Sequence, residues 1–446
     1  MSVHIFTRDL RIIDNNSLNV LSGKVYPIFI FTPEQVKNNN YKSDNAVQFM
    51  IESLKDLDDS LHKKLGLFYG EFDKEVKSII KKIKPTIISI TKDYTPYAVK
   101  REKILLKICK EENIQCSITE DYCLNFPQDI KLYQKYTPYK NSALKMIKKL
   151  PKPKSLNHKQ IQFIKIIGNF TFPKASKLYT FNDKLNLHGG RTNGLKQLSK
   201  IKNQKQYNST RNNLDKQTSE LSAFIKFGCI SIREVYWYIK EHLGPSSTLI
   251  YQLIWRDFYF QLGFGFPHVL KGKPLKEKYS KIEWDNNPTK LKKWKDGRTG
   301  FPIIDAGMRQ LNTIGYMHNR ARLITASFLV KTLLIDWRLG EKYYATRLYD
   351  YDPLVNNGNW QWVSSSGADS QPYFRIFNPW LQSKKHDPDC KYIKKWIPEL
   401  KEVEPNIIHN WYKYYDKDDY KNIYLSPIVE FDKEKKKVLS VYKKIY

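Results

Sequence analysis

The chain has 446 residues, a soft prior for two or three domains, and its 41% hydrophobic and 14% aromatic content excludes disorder and the fibrous or collagenous classes. No apolar run approaches the roughly 18 residues of a membrane span, and the N-terminal stretch is unlike a secretory leader, so a soluble intracellular protein is expected, in cytoplasm or nucleus. Lys+Arg total 76 against 45 Asp+Glu, a formal charge of +31; nucleic acid is the leading partner class, with A·T-rich coding bias, seen as Lys beside abundant Asn and Ile, as the bland alternative.

In chain order, short β-branched runs at Val3–Phe6, Val25–Phe31, Gly66–Tyr69, Thr86–Ile90 and Ile114–Ile118 are predicted strands. Between them Asn45–Leu65, Asp73–Ile83 and Ala98–Asn113 carry apolar residues at helical spacing. Such alternation predicts a parallel sheet covered on both faces, a doubly wound, Rossmann-like α/β domain over residues 1–130. It lacks the G-x-G-x-x-G and G-x-x-x-x-G-K-[ST] phosphate loops. Residues 131–200, rich in Lys, Pro and Asn (KKLPKPKSLNHK), are expected as an interdomain connector crossing the surface. Residues 201–446 are predicted all-α, with helices at Ser219–Phe227, Ser231–His242, Thr248–Leu262, Ile304–Gly315, Arg320–Asp336 and Glu341–Tyr349, and a solvated helix or fraying tail at the end. Cys109, Cys116, Cys123, Cys229 and Cys390 are odd in number and lack C-x-x-C spacing, which disfavours a disulfide framework or structural zinc. No metal site is expected.

Within the helical half, Thr218-Ser219-Glu220-Leu221-Ser222 offers hydroxyls and backbone N–H groups at a helix start, suited to a phosphate or simply to an N-cap. Further on, HNRAR (His318 to Arg322) precedes DYDPLVNNGNWQW (Asp350 to Trp362), read as a loop dense in Asp, Asn and Gly. An interior Arg322 requires a carboxylate, and Asp350 is the natural candidate.

Several long runs then carry a resemblance: WKDGRTGFPIIDAGMRQL, GYMHNRARLITASFLVKTLLIDWRLGEKYYATRLYDYDPLVNNGNWQW and PYFRIFNPWLQSKKHDPD, preceded in order by VHIFTRDLRIIDNNSL, DYTPYAVKRE, TSELSAFIKFG and YQLIWRDFY. Over nearly its whole length the chain resembles the photolyase/cryptochrome family, most closely its class I group that repairs cyclobutane pyrimidine dimers. The resemblance implies an all-α FAD-binding domain holding the cofactor in a U shape. Tyr207 and Thr218, Ser219, Glu220, Leu221 and Ser222 would hold the pyrophosphate side, Arg322 and Asp350 would pair over the isoalloxazine with Tyr351 adjoining, Asp352 would meet the ribityl–adenine side, and Asn356 would face flavin N5. Trp360, Trp337 and Trp284 match a chain that carries electrons inward from the surface; indoles oxidise at accessible potentials, although three Trp among ten are otherwise ordinary core.

The implied substrate is a pyrimidine dimer extruded from DNA, since a stacked dimer cannot reach a buried cofactor. Trp255 and Trp362 match residues that sandwich the lesion, with Tyr259 nearby, and Gln252 and Asn319 match those that hydrogen-bond its base edges. Arg211, Arg256, Arg320 and Arg375 would lie near phosphates or the pocket mouth, the alternative being ordinary ion pairs. Where the (6-4) branch has a His-His pair, this chain reads His318-Asn319, which leans to cyclobutane dimers. Gln252, Leu323 and Tyr316 depart from the Glu, Met and Trp usual in the group. For a second, antenna chromophore, Tyr97-Ala98 replaces the Asn-Glu of folate-type members; a deazaflavin, another flavin and an empty pocket stay open. The expected activity is a light-dependent lyase acting as a monomer on damaged DNA. Rival readings are a signalling cryptochrome, against which Asn356 and the short tail count, a (6-4) lyase, and a nucleic-acid-binding module with a vestigial flavin pocket.

Overall fold

The computed structural model describes residues 1–155 and 160–445; Leu156 to Lys159 of the Lys-rich connector, and Tyr446, lie outside the described residues. Strands β1 (Ser2–Ile5), β2 (Gly23–Phe31), β3 (Gly66–Tyr69), β4 (Ile87–Thr91) and β5 (Gln115–Thr119) form a parallel sheet in the order β3-β2-β1-β4-β5. Helices α1 (Asp44–Ser60), α2 (Phe72–Ile83) and α3 (Pro96–Glu111) lie between successive strands and cover the sheet. Alternate strand residues point to opposite faces. Ile28 and Ile30 therefore pack with Val76 of α2 and Leu105 of α3, whereas Phe29 and Phe31 share a core with Phe49 and Leu54 of α1. Burial on both faces is why these strands read as continuous β-branched runs, and the expected doubly wound arrangement is the one observed. Helix α1 ends earlier than its apolar pattern suggested, because His62 and Lys63 adopt left-handed φ values of 53° and 60°.

Residues 131–200 contain helix α4 (Tyr136–Met146), strand β6 (Ile161–Phe163), parallel to the start of β2, and a helix Arg191–Ser199. Beyond them the chain is helical: α5 (Ile232–Leu243), α6 (Thr248–Gly265), α7 (Pro302–Ile314), α8 (Asn319–Lys331), α9 (Trp337–Arg347), α10 (Pro353–Val363) and α11 (Phe431–Lys443). Ser231 and Glu234 close a capping box at the start of α5. Among the described residues, no helix is long and apolar enough to cross a membrane.

Three sequence readings are corrected here. The predicted helix Arg320–Asp336 is two elements: α8 stops at Lys331, Leu334 turns left-handed (φ 52°), and Asp336 caps α9 by accepting from the Arg338 N–H, so α9 starts at Trp337 rather than Glu341. The Asp350–Trp362 stretch is not a loop. Its Asp-Pro pair is a helix start, with Asp352 capping the Leu354 and Val355 N–H groups and Pro353 in the first turn; packing then outweighs the poor helix propensity of Asn356, Asn357, Gly358 and Asn359. Of the two readings of the C-terminal segment the helix is observed and the fraying tail is not: α11 is largely exposed but anchors Phe431, Val438 and Tyr442 in the core, and the Tyr442 hydroxyl donates to Ser364 O at 3.1 Å.

The α1 face of the sheet and the helical half share a continuous core, running from Phe6 and Phe49 to Phe224, Ile254 and Phe258. A second core fills the space among α7, α8, α9 and α10. The two halves are also joined by a buried charge network. Arg11 pairs with Asp121, and Arg233 pairs with Asp14 at 2.9 Å and Asp121 at 2.6 Å. Removing one partner from such a set leaves an uncompensated buried charge, costing roughly 3–5 kcal/mol.

Candidate functional site

A cavity enclosing about 1600 Å³ of space outside the protein atoms, mouth included, opens among α5, α6, α8, α9, α10 and the Thr218–Lys226 segment. Thr218 to Leu221 are irregular, and the helix Ser222–Lys226 that follows starts only at Ser222, with no side-chain cap. Glu220 on this stretch has φ 49°, a conformation L residues rarely adopt. The expected phosphate-side residues Tyr207, Thr218, Ser219, Glu220, Leu221 and Ser222 all line the cavity.

Beside the Ser222 end of this stretch lies the Arg322–Asp350 pair, 2.9 Å apart, brought together by α8 and by the turn before α10. Asp350 Oδ2 also accepts from the Ser222 hydroxyl at 2.6 Å, and Arg322 Nε donates to Met317 O at 2.8 Å. Asp350 Oδ1 is buried with no protein partner, as are Arg211 Nε and Arg256 Nη2, whose residues also line the cavity. Buried polar atoms are normally satisfied; three orphans around one hollow indicate a polar ligand. Tyr316 packs its ring 5.2 Å from the Arg322 guanidinium, and Leu323 lines the same wall. His318 caps α8 through Nδ1, which accepts from the Arg320 N–H; burial and the neighbouring Arg322 and Arg320 push it down to about 4, so the ring is neutral.

Asn356 lines the cavity from the first turn of α10. Its Nδ2 donates to Glu341 Oε1 at 2.9 Å and to Glu341 O at 3.1 Å, which leaves Oδ1 as its remaining hydrogen-bonding atom. Burial pushes the Glu341 carboxyl up to about 7, opposed by the bonds from Asn356, Tyr351 and Tyr41. Asp352, besides capping α10, gives Oδ2 to Arg8 and to the Tyr122 hydroxyl. Arg8 follows β1 and also pairs with Asp93 beyond β4, at 3.2 Å. These are the carboxyl ends of the two strands where the sheet order reverses, the usual ligand crevice of such sheets, and here the crevice is closed by the helical half. The Tyr122 ring lies 4.1 Å from both the Arg8 and Arg256 guanidinium carbons.

Trp360 is buried at the cavity wall, and α9 comes close to its indole because Gly340 has no side chain: an added Cβ would sit 2.2 Å from the ring. Trp337, one turn before Gly340, is buried in the same core, and Trp284 is half-buried at its margin. The closest aromatic neighbours of Trp360 are different ones, Tyr344 at 4.9 Å and Trp294 at 6.3 Å between ring centres.

Of the expected substrate residues, Gln252, Arg256, Arg211 and Asn319 line the cavity, with Asn319 exposed at its mouth. Arg256 points inward, donating to Tyr122 O at 2.7 Å. The others lie off the cavity. Trp255 is half-buried and stacks on Tyr136 at 3.6 Å; Tyr259 is buried and bonds Asn359; Arg320 holds Asn212 at 2.6 Å; Trp362 is half-buried; and Arg375 is exposed on the loop after α10. Arg8, Tyr122, Lys226, Glu341 and Tyr344 were missed. Arg8 and Tyr122 are more than 200 residues from Asp352 in sequence, beyond the reach of any spacing rule; Glu341 carried a signal, lying four residues after Trp337 on one helix face. At the antenna position the Tyr97 hydroxyl is 2.6 Å from the Thr32 hydroxyl, inside the sheet domain. Among the described residues no group of three or more His, Cys, Asp or Glu is arranged to hold a metal ion.

Comparison with known proteins places this geometry. The family profile described as DNA photolyase matches residues 2–155, and that described as the FAD binding domain of DNA photolyase matches residues 249–444. A deoxyribodipyrimidine photo-lyase of Buchnera aphidicola subsp. Baizongia pistaciae is 36% identical over 98% of this chain and 97% of its own. The crystal structure of an archaeal photolyase from Sulfolobus tokodaii with two FAD molecules superposes with a TM-score of 0.88 at 38% identity, covering 99% of each chain. A bacterial class III photolyase from Agrobacterium tumefaciens superposes with a TM-score of 0.90 at 29% identity over all of this chain and 97% of that one.

Proposed function

The chain belongs to the DNA photolyase family, and on that premise we propose that it is a light-driven deoxyribodipyrimidine lyase that holds FAD and splits cyclobutane pyrimidine dimers in DNA. The observation that carries this reading is the hollow itself: a deep cavity with Asp350 Oδ1, Arg211 Nε and Arg256 Nη2 buried and unpartnered beside an Asn356 held by Glu341. These residues fit FAD, which presents phosphates, hydroxyls and a planar ring with hydrogen-bonding edges. When bound, reduced FAD supplies under illumination the electron that opens the cyclobutane ring, and receives it back afterwards.

The protein's task is placement. The Thr218–Ser222 segment and Tyr207 would hold the pyrophosphate side of FAD, and Arg322 with Asp350 would meet its ring. Asn356 is a neutral amide with its N–H groups committed to Glu341, so it offers a carbonyl oxygen and no titrating proton. Trp360 at the cavity wall, with Trp337 and Trp284, would supply oxidisable side chains for electron passage to the cofactor. On the substrate side, Gln252 and Asn319 offer amides to an extruded base pair, and Arg211 and Arg256 put positive charge around it; Trp255, Trp362, Tyr259, Arg320 and Arg375 would contact DNA outside the cavity. A duplex must release the dimer to fill such a hollow. On this reading the enzyme acts as a monomer, within the cell where the DNA is. For a second chromophore the sheet domain is the place to look.

The test is illumination of the purified, reduced protein with oligonucleotides bearing a cyclobutane dimer or a (6-4) product separately. The protein is expected to be yellow and to restore only the cyclobutane-dimer strand. A colourless preparation that will not take up FAD, or repair of the (6-4) strand alone, would overturn the reading.

A further inference from the structure

The buried Trp360 ring at the cavity wall is touched edge to face by two others, Tyr344 of α9 at 4.9 Å and Trp294 of the helix Pro288–Lys295 at 6.3 Å between centres. Trp294 is fully buried, and its ring lies in turn 5.8 Å from that of Tyr343, which is half-buried on α9. Trp360, Trp294 and Tyr343 thus make a continuous file of ring contacts leading away from the cavity. Such separations are ordinary aromatic packing, but rings in contact also pass electrons, and this file is separate from Trp337 and Trp284.

The two neighbouring tyrosines differ in what their hydroxyls can do. A tyrosine that loses an electron keeps a positive charge on its ring unless the phenolic proton leaves, and a buried charge without a partner is costly. The Tyr344 hydroxyl is sealed in: it bonds the Thr325 hydroxyl beside the Met317 thioether, neither of them a base, and burial pushes it up. Tyr343 donates to Asn312 Oδ1 at 2.7 Å and to Lys295 O at 3.0 Å from its half-buried position. The Arg347 guanidinium carbon and the Lys295 ammonium each lie 5.4 Å from its ring centre. Burial pushes this hydroxyl up as well, with Arg347 opposing. Both cations disfavour positive charge on the ring, so oxidation of Tyr343 is completed by loss of its proton to water. The Trp294 N–H, by contrast, donates to Thr325 O at 3.0 Å, a carbonyl that cannot take the proton. An oxidised Trp294 therefore keeps its charge and passes it on.

We propose that Trp294 and Tyr343 form a second electron path out of Trp360, ending in a tyrosine radical at Tyr343. This rests on the reading that the cavity holds FAD beside Trp360. Trp360 gives one electron to the photoexcited, oxidised cofactor, and Trp294 refills Trp360. Tyr343 refills Trp294 and releases its phenolic proton to water. A thiol reductant in solution then returns one electron and one proton to Tyr343 and becomes a thiyl radical. Once the proton has left, charge recombination must wait for its return, so the electron given to the cofactor stays there.

The test is flash excitation of the oxidised holoprotein, with radicals identified by electron paramagnetic resonance and transient absorption. Wild type, Tyr343→Phe, Trp294→Phe and Trp337→Phe are compared, with FAD content and far-ultraviolet dichroism recorded for each. The wild type is expected to give a tyrosine-radical signal that is lost in Tyr343→Phe and Trp294→Phe and kept in Trp337→Phe. Tyr343→Phe removes a single hydroxyl and keeps the ring; should Trp294→Phe lose its flavin, the other two variants decide. Persistence of the signal in flavin-loaded Tyr343→Phe or Trp294→Phe, or its loss in Trp337→Phe, overturns the inference. A wild-type protein that binds no FAD would sink the underlying reading, whereas a flavin-loaded wild type that forms only tryptophan radicals sinks this inference alone.

Discussion

Glu341 holds Asn356 in place, and that position sets its own acid strength. The carboxyl is buried on α9 and pushed up to about 7, against a usual value of 4.5, because burial penalises its charged form more than the bonds from Asn356, Tyr351 and Tyr41 favour it. Between those two values the folded chain binds the proton that the unfolded chain has released, so this group makes stability fall as pH rises from about 4.5 to 7. The effect is at most roughly 3 kcal/mol. Glu341→Gln keeps an oxygen for the Asn356 amide and removes the titration. The difference in unfolding free energy between variant and wild type is expected to grow in the variant's favour from pH 5 to pH 7, read from denaturant unfolding at each pH. Parallel curves would show that Glu341 is charged in the folded protein.

At the scale of elements, a lysine decides where the loop after α10 sits. Lys331, the last residue of α8, is buried, and its Nζ donates to the Ser365 hydroxyl at 2.7 Å, with the carbonyl oxygens of Tyr373, Pro372 and Arg375 at 3.4, 3.5 and 3.5 Å. Lys331→Met fills the same volume but removes the buried donor to the Ser365 hydroxyl and its share of the bonding to these carbonyls, which costs about 1–3 kcal/mol. Faster amide exchange confined to the Ser364–Asn378 stretch is expected, with weaker binding of dimer-bearing DNA and unchanged FAD content; a uniform rise in exchange would place Lys331 in the general core instead. This loop also shows where reading the sequence stops. Strands β1 to β5 were legible because a buried parallel strand leaves an unmistakable β-branched run, and α5 and α6 because their apolar faces are regular. Helix α10 was hidden by its Asn and Gly content, although the Asp352-Pro353 pair announced its start. The joint between α8 and α9 was hidden by an uninterrupted apolar pattern. The pairing of Asp350 with Arg322 followed from charge alone, but the engagement of Asp352 by Arg8 across 344 residues of chain depends on how the two halves dock, and nothing local encodes it.

For the molecule as a whole, the charge of +31 has two explanations that make different demands on its distribution. A coding bias would scatter cations without regard to function, whereas a DNA-binding surface concentrates them around the cavity that Arg211 and Arg256 line, with Arg320 beside it on Asn212 and the exposed Arg375 on the loop after α10 as the proposed outer contacts. Salt separates these cases. If the protein neutralises six to ten phosphates, affinity for duplex DNA falls about 10³- to 10⁵-fold between 50 and 200 mM salt, and the slope of log K against log salt counts the contacts. Damaged and undamaged duplexes are expected to give similar slopes, because both present the same backbone, while their intercepts differ by the interactions with the extruded pair. Arg375→Ala is then expected to reduce the slope by about one contact on both DNAs. Lys107→Ala is the matching control: its exposed ammonium sits on α3, the helix that covers the sheet face turned away from the helical half, and its loss is expected to leave the slope unchanged. Equal effects of the two substitutions would mean that the positive charge acts diffusely, and that docking of the lesion owes nothing to a cationic rim.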